Sequence, residues 1–187
     1  MDEVLEFMVN KEWEKDDKAE RKIYLLSIAR KSSESSDVAQ KIGGMLIYNQ
    51  IIEQLLREII VASIAYIKAE IWPTPVSLNI NLGKMTLGNL AACFEQNVIK
   101  ERNQKVIIRH LKEYTQKRNA IVHNLFGLPD IETLSEEIDE YDVLAEKIIL
   151  LLLEYYNEIC MHFYDLDRRV EFDLLYESFA EEEEIDY

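Results

Sequence analysis

Cysteine, histidine, proline and glycine are all scarce in this chain of 187 residues, at two, three, three and five copies. Cys93 and Cys160 stand far apart with no CxxC or Cys/His ligand spacing. That excludes a sequence-encoded metal motif, and because both fall in apolar helical contexts they read as reduced core thiols. So little glycine and proline excludes fibrous and low-complexity classes. Positive charge is short as well: 21 Lys and Arg against 36 Asp and Glu leave a formal net charge of −15. Binding a polyanion draws most of its affinity from Lys and Arg at phosphates, so an extended electrostatic track is excluded. The longest apolar runs, such as Ile148 to Leu153, are far short of a membrane span. Met1-Asp2-Glu3 is acidic where a secretory signal is basic. These absences lead to the expectation of a soluble, cytoplasmic protein with no membrane partner.

What is present is a helical pattern. Apolar residues make up 48% and charged residues 30%, enough for one well-filled core, and the length does not argue for two domains. The expected fold is an all-α, up-and-down bundle of four to five helices, with a Pro-containing extended insertion between helices. Within this single domain, residues 1–36 form an N-terminal helical segment packed on the bundle. Residues 37–163 form the bundle and 164–187 an acidic C-terminal helix or tail. The first helix spans roughly Asp2 to Arg30, broken near Lys15-Asp16-Asp17. Asp37 is the N-cap of the next, which runs to about Ala69. Gly43-Gly44 inside it allows a kink or a close helix crossing, and its centre, Ile51 to Tyr66, marks a buried helix.

From Trp72-Pro73-Thr74-Pro75 the helix pattern stops. Val76, Leu78, Ile80 and Leu82 alternate with polar residues, which predicts an extended arm that serves as a dimer contact or as a lid. Thr86 caps a short helix whose Leu87, Leu90, Ala91 and Phe94 face inward. Asp130 or Thr133 caps a long helix through about His162, with Ile138, Val143, Leu144, Ile148, Leu151, Leu152, Tyr155 and Ile159 available for the core. The short Phe126–Pro129 connection sets this helix antiparallel to the one before it.

The preceding helix, from about Lys105 to Gly127-Leu128-Pro129, carries the stretch Lys117-Arg118-Asn119-Ala120-Ile121-Val122-His123-Asn124. Stepping about 100° per residue from Ile107 gathers Leu111, Tyr114, Val122 and Leu125 on an inward stripe, with Arg118 in its middle. A guanidinium cannot discard its charge, so an inward Arg must meet a carboxylate, a phosphate or a solvent-lined crevice. Glu136, Glu137 and Glu140, early in the next helix, are placed to supply counter-charges. His123 lies about 140° round from Arg118, with Asn119 one turn before it on nearly the same face. Between Lys84 and Leu128 eight positive residues face three negative ones, so this segment is a basic island of +5 in an acidic chain. Such an island grips one or two phosphates rather than a long nucleic acid. His110 and His162 stand alone, without a ligand pair, and read as packing or surface residues.

The Arg118-x-x-x-x-His123 pattern, with polar Asn119 directly after the arginine, resembles the signature of the HEPN families, helical domains of which many are ribonucleases. The turn Thr86-Leu87-Gly88-Asn89-Leu90 is similar to a Leu-Gly turn that many bacterial members carry upstream. The resemblance covers about residues 37–163. It implies a metal-independent endoribonuclease of a toxin–antitoxin or antiviral defence system, cleaving RNA by attack of the neighbouring 2′-hydroxyl, with no cofactor and no metal. Arg118 would polarise the scissile phosphate. His123 would be general acid or base, and Asn119 would orient the phosphate or the imidazole. Lys117, Lys112 and Arg109 are candidate RNA phosphate contacts. The resemblance also implies a homodimer with two motifs across one cleft, and an antitoxin or other regulatory protein as partner. Leu125 occupies the position where one toxin branch has a tyrosine modified with nucleotides, so that regulation is not implied here.

A second class fits the same helices: a non-catalytic interaction or regulatory module with Arg118 in a structural ion pair. The mannitol operon repressor family is similar in its Leu-Gly turn, though not in the Arg/His pattern. Residues 165–187 hold ten acidic residues and two arginines. They read as a short helix and a solvated tail, or as a mimic of nucleic-acid charge folded over the basic island.

Overall fold

Short polar residues set the helix starts. Asp37 sits outside the helix with extended backbone, and its side chain accepts from the Ala39 amide at 2.9 Å. Asp130 does the same for the last helix, accepting from the Thr133 amide at 2.7 Å, so Asp130 rather than Thr133 is the cap. The computed structural model describes residues 17–71, 82–97, 103–124 and 130–183, with side chains as far as Leu166. It contains α1 (Asp17–Ser33), α2 (Val38–Glu70), a 3-10 turn (Leu82–Lys84), α3 (Leu87–Asn97), α4 (Gln104–Asn124) and α5 (Ile131–Glu183). The architecture is all-α, with no strand among the described residues.

The four longer helices, α1, α2, α4 and α5, alternate in direction along the chain. Lys22 pairs with Glu58 while Ala29 meets Gly44, so α1 and α2 are antiparallel. Lys41 pairs with Asp139 and Tyr66 packs on Phe163, so α2 and α5 run parallel. Among the described residues these two helices share the most extensive contact. The α4 helix is antiparallel to α5, as the short connection predicts: Lys117 reaches Glu140, whereas Gln104 lies at Phe94, whose ring packs at a tilt against Tyr155. Thus α2 and α5 form the central pair, with α1 covering one flank and α3 with α4 another.

The centre of α2 is core as expected: Ile51, Ile52, Leu55, Leu56, Ile59 and Ile60 are buried. On α3, Leu87, Leu90 and Phe94 are buried and Ala91 is half-buried. On α5, Ile138, Leu144, Ile148, Leu152, Tyr155 and Ile159 are buried, and Leu151 is partly so. Val143 is a correction, being 73% exposed. It lies about 200° round the helix from Tyr141, on the side away from the stripe that Tyr141, Ala145, Ile148 and Leu152 define. Val122 is another, at 48% exposed, while Ile121 at 2% takes its place. Both flank the Ile107–Leu111–Tyr114 line, and packing against α5 selects one side of it. Cys93 is buried but Cys160 is exposed, so only the first is a core thiol.

The long helix does not end near His162; its backbone continues to Glu183. Helix expected in residues 2–16, the extended arm over 72–81, and Leu125 all fall outside the described residues. Leu82, placed at the end of that arm, instead opens the 3-10 turn. The turn is held by Arg57, which donates to the carbonyls of Leu82 and Met85 at 3.3 and 3.2 Å.

Gly43 and Gly44 differ in purpose. A Cβ on Gly44 would lie 3.0 Å from the Ala29 carbonyl oxygen and 3.0 Å from Ser32 Cβ, whereas one on Gly43 would meet nothing within 4 Å. The pair therefore marks a close crossing of α1 over α2 at Gly44. Gly43→Ala should stabilise the protein by up to about 1 kcal/mol through helix propensity. Gly44→Ala gains the same propensity but overpacks by about 1–3 kcal/mol, so a net loss of about 1 kcal/mol is expected. Urea midpoints of the two variants check the opposite signs.

Candidate functional site

Helix α4 presents its polar residues in three directions. Lys105, Arg109, Lys112, Gln116, Asn119 and His123 are all exposed and fall within about 80° of one another on one face. This is a basic stripe into which Asn119 and His123 are set. Arg118 lies on the opposite side, half-buried among the core positions Tyr114 and Ile121. Lys117 points a third way, its Nζ 2.7 Å from Glu140 Oε2. That contact holds the Glu140 carboxyl below its usual range. One chain therefore brings Asn119 and His123 together and keeps Arg118 apart from them.

Arg118 has no counter-charge of the expected kind. Glu140 is engaged by Lys117, and among the described residues no carboxylate pairs with Arg118. Its Nε is buried without a hydrogen-bond partner among those residues. Its neighbours are two phenols: Tyr114 and Tyr141 stack with ring centres 4.2 Å apart and planes 21° from parallel. Burial pushes both hydroxyls to higher pKa, and the Arg118 charge acts on both in the opposite sense. The guanidinium thus sits beside neutral acceptors that leave its charge uncompensated. A shallow groove of about 180 Å³ between α4 and α5 is lined by Lys117, Ala120, Ile121, Glu137 and Glu140. The two glutamates make that groove unfavourable for a phosphate.

The candidate phosphate contacts are unequally free. Lys117 is held by Glu140, and Lys112 lies 3.1 Å from Glu95. Both pairs are at the surface, where such contacts yield readily. Arg109 is exposed and shares the face of His123. His110 is buried, and His162 is half-buried with its ring 5.6 Å from that of Tyr66. Both occupy packing positions away from the motif.

The tyrosines beside Arg118 belong to a polar layer that crosses the bundle. Tyr141 donates to Asn49 Oδ1 at 2.7 Å in the buried interior. One helical position further, Asp142 accepts from the Ser33 hydroxyl on α1. Next to it Glu146 accepts from Tyr48 at 2.8 Å and from Arg30 Nε at 2.7 Å. Lys41 closes the layer on Asp139 at 2.5 Å. Burial first, and then the neighbouring Asp139 and Glu146 carboxylates, push Asp142 up to about 7, against the lowering effects of Ser33 and Lys41. Sequence reading passed over Asp142 and Glu146. The available signal was a pair of carboxylates four residues apart beside the buried stripe of α5, where acidic residues need partners.

Fold and site together define an all-α bundle with a polar layer through its core, a basic exposed face on α4 and an unpaired inward arginine. In the comparisons with known proteins, no family model, no curated protein and no solved structure matches the chain. Among the described residues, no helix is long and apolar enough to cross a membrane. No group of three or more His, Cys, Asp or Glu there could hold a metal ion.

The state of Asp142 has a measurable consequence. Its folded pKa of about 7 lies above the ordinary aspartate value of 3.8, so between those values the folded chain binds the extra proton. Stability from this group is therefore full below about pH 4 and is lost as pH rises through 7. A few kcal/mol are expected from such a shift. Asp142→Asn keeps an acceptor for Ser33 and carries no charge. Its stability relative to the wild type should be near zero at pH 4 and should become clearly favourable at pH 8, as read from urea denaturation across that range.

Proposed function

We propose that this protein is a metal-independent endoribonuclease of the HEPN type, acting in a toxin–antitoxin or antiviral defence system. The observation that carries the reading is the half-buried Arg118 without a carboxylate partner among the described residues. A structural ion pair would have answered its charge from within the fold. A fork of donors with an uncompensated charge suits a phosphodiester, whose pentacovalent transition state needs a fixed cation. Arg118 binds and polarises the scissile phosphate in this reading. His123 transfers the proton to or from the 2′-hydroxyl or the leaving oxygen, and Asn119 orients one of them. Arg109 and Lys112 hold adjoining phosphates, and Lys117 does so once it is drawn off Glu140.

The placement of the three residues also supports a homodimer. Arg118 and His123 lie about 140° apart on one helix, so a single chain does not aim them at a common atom. A two-fold pairing about this region sets the Arg118 of one chain against the His123 of another. The arrangement puts local positive charge at the RNA backbone of an otherwise acidic protein. It also leaves a regulatory protein, such as an antitoxin, the basic face to cover.

The test is cleavage of mixed cellular RNA with EDTA present, using the wild type, His123→Ala and Arg118→Ala of verified fold and oligomeric size. The wild type should leave cyclic-phosphate ends. Each variant should lose about 10²-fold or more in rate. Because no described carboxylate depends on Arg118, Arg118→Ala should change stability by about 1 kcal/mol or less, chiefly through lost stem packing. A destabilisation of several kcal/mol with no cleavage by the wild type would instead give Arg118 a structural role in an interaction module.

A further inference from the structure

On the side of the bundle formed by α1, α2 and α5, a cleft of about 410 Å³ is lined by Arg30, Ser33, Glu34, Tyr48, Asp139, Asp142, Val143 and Glu146. Four of these are carboxylates. Arg30 is spent on Glu146, contacting both of its oxygens at 2.7 and 3.3 Å, and Lys41 reaches in to neutralise Asp139. Asp142 and Glu34 form no ion pair among the described residues, although the Lys41 charge is felt at Asp142. Asp142 is only 5% exposed, and although its Oδ2 accepts from Ser33, its Oδ1 is buried with no hydrogen-bond partner among those residues. A buried carboxylate oxygen left unanswered is costly, and here it belongs to a residue of the cleft wall.

We propose that this cleft is a binding site for an ammonium or guanidinium group, with Asp142 as its principal acceptor and Glu34 and Glu146 as flanking ones. The carboxylates do not form a metal cage. An organic cation, whose N–H groups reach acceptors set at separate points, fits them. The phenol of Tyr48 and the side chain of Val143 give an apolar wall for the carbon stem that carries the charge. A free polyamine and a Lys or Arg side chain of another protein present the same chemistry.

The charged and titratable groups around Asp142 come from every element packed on it. They are Arg30 on α1, Lys41 and Tyr48 on α2, Tyr114 on α4, and Asp139, Tyr141 and Glu146 on α5. With burial first, and then Asp139 and Glu146, raising its affinity for a proton, Asp142 exchanges that proton for the ligand's charge, so binding near pH 6.5 releases a proton to the buffer. The site lies at the opposite end of the polar layer from Arg118 and is independent of the ribonuclease reading.

Calorimetric titration of the full chain with spermidine, and separately with a short peptide containing a single lysine, tests the site at physiological ionic strength. Saturable binding of either is expected, tighter at pH 8 than at pH 6, with proton release in the lower range. Spermidine alone identifies a free polyamine as the source, and the peptide alone a protein side chain. Asp142→Asn should weaken binding by about tenfold or more, and the exposed Glu34→Gln by a smaller factor with the fold untouched. The proposal is overturned if neither probe saturates, if added NaCl of equal ionic strength reproduces the heats, or if both variants bind as the wild type does.

Discussion

The hydrogen bond from Tyr141 to Asn49, made inside the contact between α2 and α5, is the constraint on which the rest of the arrangement depends. Two parallel helices with aliphatic faces can slide past each other by a turn with little change in buried area. A polar pair that must find its partner away from water cannot. With that register set, Lys41 meets Asp139, Tyr48 meets Glu146, and Tyr66 lies against Phe163. The outer helices then follow. Gly44 lets α1 approach closely enough for Ser33 to reach Asp142 and Arg30 to reach Glu146. The ring of Tyr114 stacks on Tyr141 and brings α4 in with Arg118 beside it.

This polar layer runs between two surfaces of opposite character. On one side, α4 offers an exposed stripe with Arg109, Lys112, Asn119 and His123. On the other, α1 and α5 enclose a cleft walled by carboxylates. A chain with a formal charge of −15 would repel polyanions if its charge were spread evenly. Segregation across the bundle allows an anionic ligand at one face and a cationic one at the other. The two share groups electrostatically, since the charge of Asp142 and that of Arg118 both act on Tyr114 and Tyr141, in opposite senses.

Much of the fold was legible before any coordinates. Asp37 announces the start of α2 because an Asp ahead of an apolar-periodic run has few other uses. The Leu87, Leu90 and Phe94 spacing identifies the inner face of α3, and the scarcity of Gly and Pro permits the long helices. The errors are equally physical. Val122 and Val143 are apolar and periodic enough to suggest core, but apolar type does not specify which side of a stripe the neighbouring helix covers. Glu140 was a reasonable partner for Arg118 by proximity in the bundle, yet Lys117, one residue earlier, is turned towards it and reaches it first.

By itself, the sequence determined the helical class, the Asp37 cap, the inward placement of Arg118 and the joint face of Asn119 and His123, because each follows from local chemistry and a 3.6-residue period. Only the tertiary structure decided that Arg118 rests on two phenols instead of a carboxylate, and that Asp142 is buried among Ser33, Asp139 and Glu146. The first depends on Tyr141 of the next helix and the second on Ser33, 109 positions from Asp142 in the chain, and helical periodicity carries no information about which side chain a partner helix will bring.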